Sequence, residues 1–165
     1  MKTLLSGIAT TVLLSTTLAT AQAAEEGVVR HKLPDSDFPI SLAVEIPANK
    51  TQVHLSGQVP TVINKKADDA TLEAYGSMEE QATSVLQAIE KNLASLDLTM
   101  ADIYRMQVFL VAEEGKVDFD GFMKGYSKYF GTKEQANLPV RSAVEVAALA
   151  NPGWLIEIEV SAVRP

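Results

Sequence analysis

The sequence contains no cysteine among its 165 residues. Disulfide bonds therefore cannot stabilise the fold, and catalysis through a thiolate nucleophile is excluded. Histidine is scarce too: His31 and His54 lie on different segments, and neither has a partner at the spacing of a metal site. Each histidine is more typical of a solvent-facing or hydrogen-bonded side chain, so the sequence predicts no metal ligand.

The common motifs of nucleotide binding and hydrolysis are absent. The chain contains no G-x-G-x-x-G, G-x-x-x-x-G-K-[ST], G-x-S-x-G or H-E-x-x-H. Positive charge is limited, since 14 lysines and arginines face 21 acidic residues and leave a net charge of −7. Nucleic acids and anionic membrane surfaces are bound through basic patches, so neither is expected as a partner.

The N-terminal segment 1–23 has the features of a secretory signal peptide. Lys2 precedes an apolar run, and Ala21 and Ala23 form an A-x-A cleavage site, with cutting expected before Ala24. An uncleaved anchor is the alternative, but the run is rich in threonine and shorter than the ~20 residues of a spanning helix. Cleavage removes one lysine and leaves 13 basic against 21 acidic residues, a net charge of −8. We expect a periplasmic or secreted protein without a membrane partner after cleavage.

The remaining chain is long enough for one domain with a core. Residues 24–37 are polar and are predicted to be a flexible lead-in to a single domain over 38–165. Alternating apolar residues predict strands over 40–46 and 52–58, and the intervening "PANK" favours a β-hairpin. Ser77 and Glu80 form an S-x-x-E capping box, which predicts a helix that ends near Leu96–Leu98.

The second half of the domain continues the alternation of strands and helices. Its predicted elements are a strand over 102–111, a helix over 118–131, and strands over 139–147 and 154–163. The last two strands are joined by "ALANPG", which predicts a closing hairpin. The order β-β-α-β-α-β-β predicts an α+β fold with both helices on one face of a sheet.

An arginine inside the apolar strand "LPVRSAVEV" is the strongest candidate for chemistry. Arg141 shares a face with Ala143 and Glu145, and Glu157 alternates with apolar residues in "LIEIEV". One account makes these charges the solvent-facing side of the sheet. Within the closing hairpin, Arg141 would lie opposite about Val160 and Glu157 three residues further on, a separation of about 10 Å. That distance argues against a direct ion pair, although both side chains could point into one pocket.

Two segments, in order, resemble a known family. "LPVRSAVEVAALANPGWLIEIEVSAV" (138–163) closely resembles the C-terminal signature of the RidA family, also called the YjgF or reactive intermediate deaminase superfamily. "LSGQVP" (55–60) resembles its S-G-Q-[IV]-P element, and the likeness covers roughly 38–165. It implies a chorismate-mutase-like α+β fold with a mixed sheet, assembled as a homotrimer whose clefts between subunits bind small carboxylates.

The resemblance also implies an activity and its residues. The family's characterised reaction is hydrolysis of 2-imino acids, such as 2-iminopropanoate and 2-iminobutanoate, to 2-oxo acids and ammonia, without a metal or organic cofactor. Arg141 matches the arginine that holds the substrate carboxylate, and Glu157 matches the acid that positions water. The substrate-binding positions that the resemblance implies are Ser56, Gly57 and Ala143, together with Ile40 and Met123, which replace the tyrosine and asparagine common in the deaminases.

Three hypotheses for function follow. The first is a deaminase-like hydrolase that acts on 2-imino acids. The second is a non-catalytic protein that holds small carboxylates in clefts between subunits. The third is a chaperone-like holdase, for which exposed apolar surface matters and Arg141 does not.

Overall fold

The computed structural model describes residues 27–165. The predicted signal peptide over 1–23 and the first three residues after its cleavage site lie outside the described residues. Within 27–165, none of the helices combines the length and the apolar character needed to cross a bilayer.

Strands and helices alternate along the described chain, as the sequence predicts. The strands are β1 (Val29–Lys32), β2 (Ser41–Glu45), β3 (Gln52–Gln58), β4 (Ile103–Val111), β5 (Val140–Val146) and β6 (Ile156–Val163). The helices are α1 (Leu72–Tyr75), α2 (Met78–Ala94) and α3 (Phe119–Tyr126), and a single 3-10 turn (Met100–Asp102) precedes β4.

Four of the strands form a mixed sheet in the order β3-β6-β4-β5. β4 and β5 are parallel, whereas β6 runs antiparallel to both of its neighbours. α2 and α3 pack against each other and cover one face of this sheet with a continuous apolar core. The predicted α+β class, the mixed sheet and the two helices on one face are confirmed.

Both predicted hairpins are wrong. β2 pairs with β1 in a separate two-stranded sheet, while β3 pairs with β6 from the far end of the chain. β5 and β6 do not touch as a hairpin either, because β4 lies between them. The turn residues were recognised correctly, but a turn fixes only the local direction of the chain. The buried apolar positions of β4 place that strand at the centre of the sheet, with a partner on each side.

The N-terminal lead-in differs from the prediction over residues 29–32, which form β1 instead of a flexible segment. Arg30 fixes this strand to the domain. Its guanidinium donates hydrogen bonds to the carbonyl oxygens of Leu138 (2.8 Å) and Ala101 (3.1 Å). Burial lowers the pKa of Arg30, and the nearby carboxylate of Asp102 opposes that shift. The anchor was missed because its acceptors are main-chain groups, which no side-chain pattern reveals.

The capping box at the start of α2 is confirmed. The Ser77 hydroxyl accepts a hydrogen bond from the Glu80 N–H (3.4 Å), and the Glu80 carboxylate accepts one from the Ser77 N–H (2.9 Å). These bonds to Ser77 lower the pKa of Glu80. A lowered pKa means that the stabilisation is present above the ordinary pKa of glutamate and is lost as pH falls through the lowered value.

Ser77→Ala is expected to lower the thermal midpoint by about 3 °C, because it removes the cap of the longest helix in the core. Calorimetry at neutral pH measures the effect. Ser95→Ala, at the other end of α2, is the matched control: its hydroxyl bonds only to the Asn92 carbonyl of its own helix. Equal losses in the two variants would contradict a specific role for the cap.

Candidate functional site

Arg141 lies on β5 and points toward the helices. It is paired in register with Met106 of β4, which is 1% exposed and faces the helices. Residues paired across strands share a face of the sheet, so the Arg141 side chain enters the space between β5 and α3. Its guanidinium carbon lies 4.3 Å from the ring centroid of Tyr126, 5.0 Å from that of Phe122 and 5.3 Å from that of Phe38. The alternative that Arg141 belongs to a solvent-facing side of the sheet is therefore wrong.

No counterion balances this cation within the described chain. Among residues 27–165, no carboxylate lies within 4.0 Å of the guanidinium, and Nη1 is enclosed without a hydrogen-bond partner. Burial lowers the pKa of Arg141 and raises the pKa of the neighbouring Tyr126 hydroxyl. A half-buried cation with unused donors is suited to binding an anion from outside the protomer.

Glu157 lies on the opposite face of the sheet. It is paired with Phe109 of β4, whereas its neighbours Ile156 and Ile158 point into the core. Its carboxylate lies against Gly57 of β3, where a Cβ atom would overlap it. Within residues 27–165 the carboxylate makes no side-chain hydrogen bond and no ion pair, so it is free to contact water or a ligand.

The remaining predicted site residues divide between these two places. Ile40 lines a groove together with Arg141, Ala143 follows two residues later on the same face of β5, and Met123 lies on α3 beside Phe122. Ser56 and Gly57 lie instead at an irregularity in the pairing of β3 with β6, on the Glu157 side. One group contains the candidate carboxylate clamp and the other contains the candidate acid.

A single protomer does not bring the two groups together. Met106 pairs with both Arg141 and Val160, and Phe109 pairs with both Val144 and Glu157. Arg141 is therefore level with Val160 along the strands, and Glu157 is level with Val144, as predicted. The difference is that β4 lies between β5 and β6. The two residues are offset by about 10 Å along the strand direction. They are also about 10 Å apart across the sheet, because two strand spacings separate β5 from β6. Because they also lie on opposite faces, no pocket within one protomer contains both.

The aromatic residues around Arg141 were not predicted as site residues. Phe122 and Tyr126 are four residues apart on α3, a spacing that places them on one helical face. Both side chains are fully buried, and their contact with Arg141 depends on the position of β5 in the sheet. Phe38 comes from the segment before β2, which is held to α3 by a hydrogen bond from the Tyr126 hydroxyl to the Pro39 carbonyl (2.8 Å).

Comparisons with known proteins agree with the resemblance in the sequence. The family model described as Endoribonuclease L-PSP matches residues 32–164. A RutC family protein of Haemophilus influenzae is 34% identical over 134 residues, which cover 81% of this chain and 93% of that protein. TdcF of Escherichia coli, which carries the name of a reactive intermediate deaminase, is 32% identical over 114 residues, covering 69% of this chain and 80% of TdcF.

Solved structures show the same fold. The crystal structure of Escherichia coli TdcF with bound serine has a TM-score of 0.56 at 26% identity, covering 73% of this chain and 85% of that one. A YjgF family member from Neisseria meningitidis has a TM-score of 0.53 at 25% identity, covering 84% of this chain and 95% of the other.

Proposed function

Because the chain belongs to the RidA/YjgF family, we propose that it hydrolyses reactive 2-imino acids to 2-oxo acids and ammonia. The observation that carries the proposal is the cation of Arg141, which has unused donors and no carboxylate partner in the described chain. A 2-imino acid supplies the missing carboxylate. Relatives support the proposal, since one is named as a deaminase and its structure holds serine, a small molecule with a carboxylate.

Arg141 binds and orients the substrate in this proposal. A guanidinium is a planar fork that holds a carboxylate through two parallel, charge-assisted hydrogen bonds. The carboxylate and the imine carbon of a 2-imino acid are adjacent, so fixing the first also fixes the second. Imines react with water readily, and positioning is therefore the main contribution that the protein has to make.

Glu157 supplies the proton transfers. As a water oxygen attacks the imine carbon, the carboxylate takes one proton from the water and passes it to nitrogen, which gives a tetrahedral amino alcohol. The same carboxylate then takes the remaining hydroxyl proton and passes it to nitrogen, so that the carbon–nitrogen bond breaks and ammonia and the 2-oxo acid leave. One water is consumed for each imine, and no metal or organic cofactor takes part in this scheme.

The two residues act on one substrate only if they come from different subunits, because they face opposite sides of the sheet within one chain. A homotrimer with cyclic symmetry provides three identical interfaces, each with one Arg141 and one Glu157 from the adjacent copy. The partner in this proposal is therefore a second copy of the same chain.

The groove at Arg141 favours a small substrate with an apolar side chain. Leu33, Ile40 and Leu42 contribute apolar surface to it, and Ile40 stands where the resembling deaminases carry a tyrosine. Burying a methyl or ethyl group against these three side chains is favourable, and Ser41, Arg105 and Ser142 form the polar part of the same lining. Imino acids of the 2-iminobutanoate type fit this surface.

Non-catalytic binding of a small carboxylate is the second candidate function, and the serine bound to TdcF is the observation that favours it. No observation specifically favours the holdase hypothesis, because exposed apolar side chains such as Leu42, Ile63 and Val144 are common on folded proteins of any function. RNA cleavage, which the description of the matched family model names, is disfavoured by the net charge of −7.

The decisive experiment generates imines in place with an amino-acid oxidase acting on 2-aminobutanoate and follows their decay with and without the protein from Ala24 onward. Hydrolysis faster than the spontaneous rate, in proportion to protein concentration, is expected. An unchanged decay rate together with Arg141-dependent binding of 2-oxobutanoate would show that the protein binds carboxylates without turnover.

Gly57→Ala tests the position of Glu157. The new Cβ would occupy the place of the carboxylate, which is the far end of a flexible side chain and is able to move away. We expect turnover to fall about as far as in Glu157→Gln, with a thermal midpoint within a few degrees of the wild type. Gly27→Ala is the control, since no heavy atom lies within 4 Å of its added Cβ. Full activity in Gly57→Ala would show that this position of Glu157 is not the active one.

A further inference from the structure

Three rings surround the guanidinium of Arg141, and we refer to Phe38, Phe122 and Tyr126 as the aromatic cage. Their centroids lie between 4.3 and 5.3 Å from the guanidinium carbon, within the range of cation–π attraction. Phe122 and Tyr126 are fully buried parts of the core, whereas Phe38 is 40% exposed. Phe38 is therefore the outermost ring of the cage and the one that separates the cation from solvent.

The cage leaves part of the guanidinium open. Nη1 is enclosed and has no hydrogen-bond partner, while Nε and Nη2 are not enclosed and make no hydrogen bond to any other part of residues 27–165. Three rings surround the guanidinium carbon, so a ligand approaches from the side that the rings leave open. The Nε–Nη2 edge offers the two parallel donors that a carboxylate requires.

The cage is held in place without a ligand. The Tyr126 hydroxyl donates to the Pro39 carbonyl (2.8 Å), and the Ile40 N–H donates to the Phe38 carbonyl (2.8 Å). On the other side, the Ser41 N–H donates to the Pro139 carbonyl (2.9 Å), which ties the same segment to the start of β5. Phe38 is therefore fixed between α3 and β5, the two elements that also position the rest of the site.

We propose that Phe38 is a positioning residue that packs against the Arg141 guanidinium and holds it so that a ligand carboxylate binds at the Nε–Nη2 edge. The inference rests on the proposed function and names the binding edge and the residue that selects it. Phe38 does not touch the reacting atoms in this account. It acts on affinity by holding Arg141 in the orientation that the ligand needs, so less freedom is lost on binding.

The test compares three single variants in the assembled protein with 2-oxobutanoate as the probe. Phe38→Leu keeps an apolar side chain but removes the ring, and we expect its Kd measured by calorimetry to rise about fivefold. Phe38→Trp restores a ring and is expected to bind within twofold of the wild type. Phe119→Leu is the matched control, because Phe119 is also a partly exposed phenylalanine (38%) and packs against Phe122 at a tilted angle, outside the aromatic cage.

A second measurement reports on the cage without any ligand. The Nε–Hε resonance of Arg141, assigned by its loss in Arg141→Lys, is expected to be displaced by the ring currents of the cage and to move toward the ordinary arginine position in Phe38→Leu. In turnover experiments, Phe38→Leu should raise KM while kcat stays within twofold, since a residue that positions the clamp changes binding more than chemistry.

Unchanged or tighter binding in Phe38→Leu would overturn the inference, and so would an equal loss in Phe119→Leu. Failure of the proposed function gives a different pattern. If the wild type hydrolyses no imine but the Kd and the Nε–Hε resonance both respond to Phe38 as expected, the role of Phe38 stands and only catalysis is withdrawn. If the wild type binds no carboxylate, both proposals fail.

Discussion

Arg141→Ala is expected to lower kcat/KM for imine hydrolysis at least about a hundredfold. The change removes the charge-assisted hydrogen bonds to the substrate carboxylate, and with them the orientation of the imine carbon toward water. Both losses appear in the transition state, so kcat falls as well as substrate affinity. The oxidase-coupled assay with 2-aminobutanoate measures the effect under the same conditions as the wild type.

Arg141→Lys is expected to restore only a small part of the loss. An ammonium is a point charge without a planar fork, and it stacks less well on the aromatic cage. Neither variant should lower the thermal midpoint by more than a few degrees, since Arg141 has no ion pair within the described chain and its Nη1 has no acceptor.

Arg164→Ala provides the control for removing an arginine elsewhere, because the Arg164 guanidinium donates to the main-chain carbonyl of Leu96 and lies outside both groups of site residues. It should retain full activity. If Arg141→Ala unfolds the protein while the fraction that stays folded binds carboxylates as before, Arg141 stabilises the fold and is not the clamp.

Mixed assemblies of two inactive variants are expected to recover activity. Arg141→Ala and Glu157→Gln are each expected to be nearly inactive alone, but a heterotrimer of the two contains some interfaces with an intact Arg141 from one copy and an intact Glu157 from the next. Equal, random mixing by co-expression leaves about a quarter of the clefts complete. Activity near a quarter of the wild-type value follows. If both residues of each site came from one chain, no cleft would be complete and no activity would return.

A second mixture controls for incomplete mixing of the subunits. Wild-type chains mixed equally with the double variant Arg141→Ala/Glu157→Gln give about a quarter of the clefts complete for a site between subunits, and about half for a site within one chain. Light scattering should show three times the monomer mass in every sample. A monomer at micromolar concentration would contradict the composite site directly.

Elements with local signals were predictable from the sequence. The start of α2 follows from Ser77 and Glu80, and β4 follows from its length and its β-branched and aromatic residues. Strand pairing was not predictable in this way, because β4 pairs in parallel with β5 across the whole of α3, and β3 pairs with the last strand of the chain. Which strands pair depends on how the complete sheet buries its apolar residues. Short connections between successive strands therefore did not predict the pairing.

The opposite orientation of Arg141 and Glu157 could be predicted from the sequence. Register alone places Arg141 level with Val160, and Val160 shares the core face with Ile156 and Ile158. Glu157 alternates with those residues and must face the other way. The aromatic cage, by contrast, depends on how α3 crosses β5, and nothing in the pattern of either segment specifies that contact.

The close packing of α2 and α3 has a consequence for affinity. Gly125 of α3 lies so near α2 that an added Cβ would be 2.7 Å from the Cβ of Ala82 and 3.2 Å from the main-chain oxygen of Glu79. Any larger residue at position 125 would separate the two helices. Phe122 and Tyr126 would move with α3, because they flank Gly125 on the same helix, and the distance from their rings to the cation would grow. In the proposed site, the spacing between the two helices sets how firmly a ligand is held, and mutations at their contact are expected to change affinity while every residue that touches the ligand stays the same.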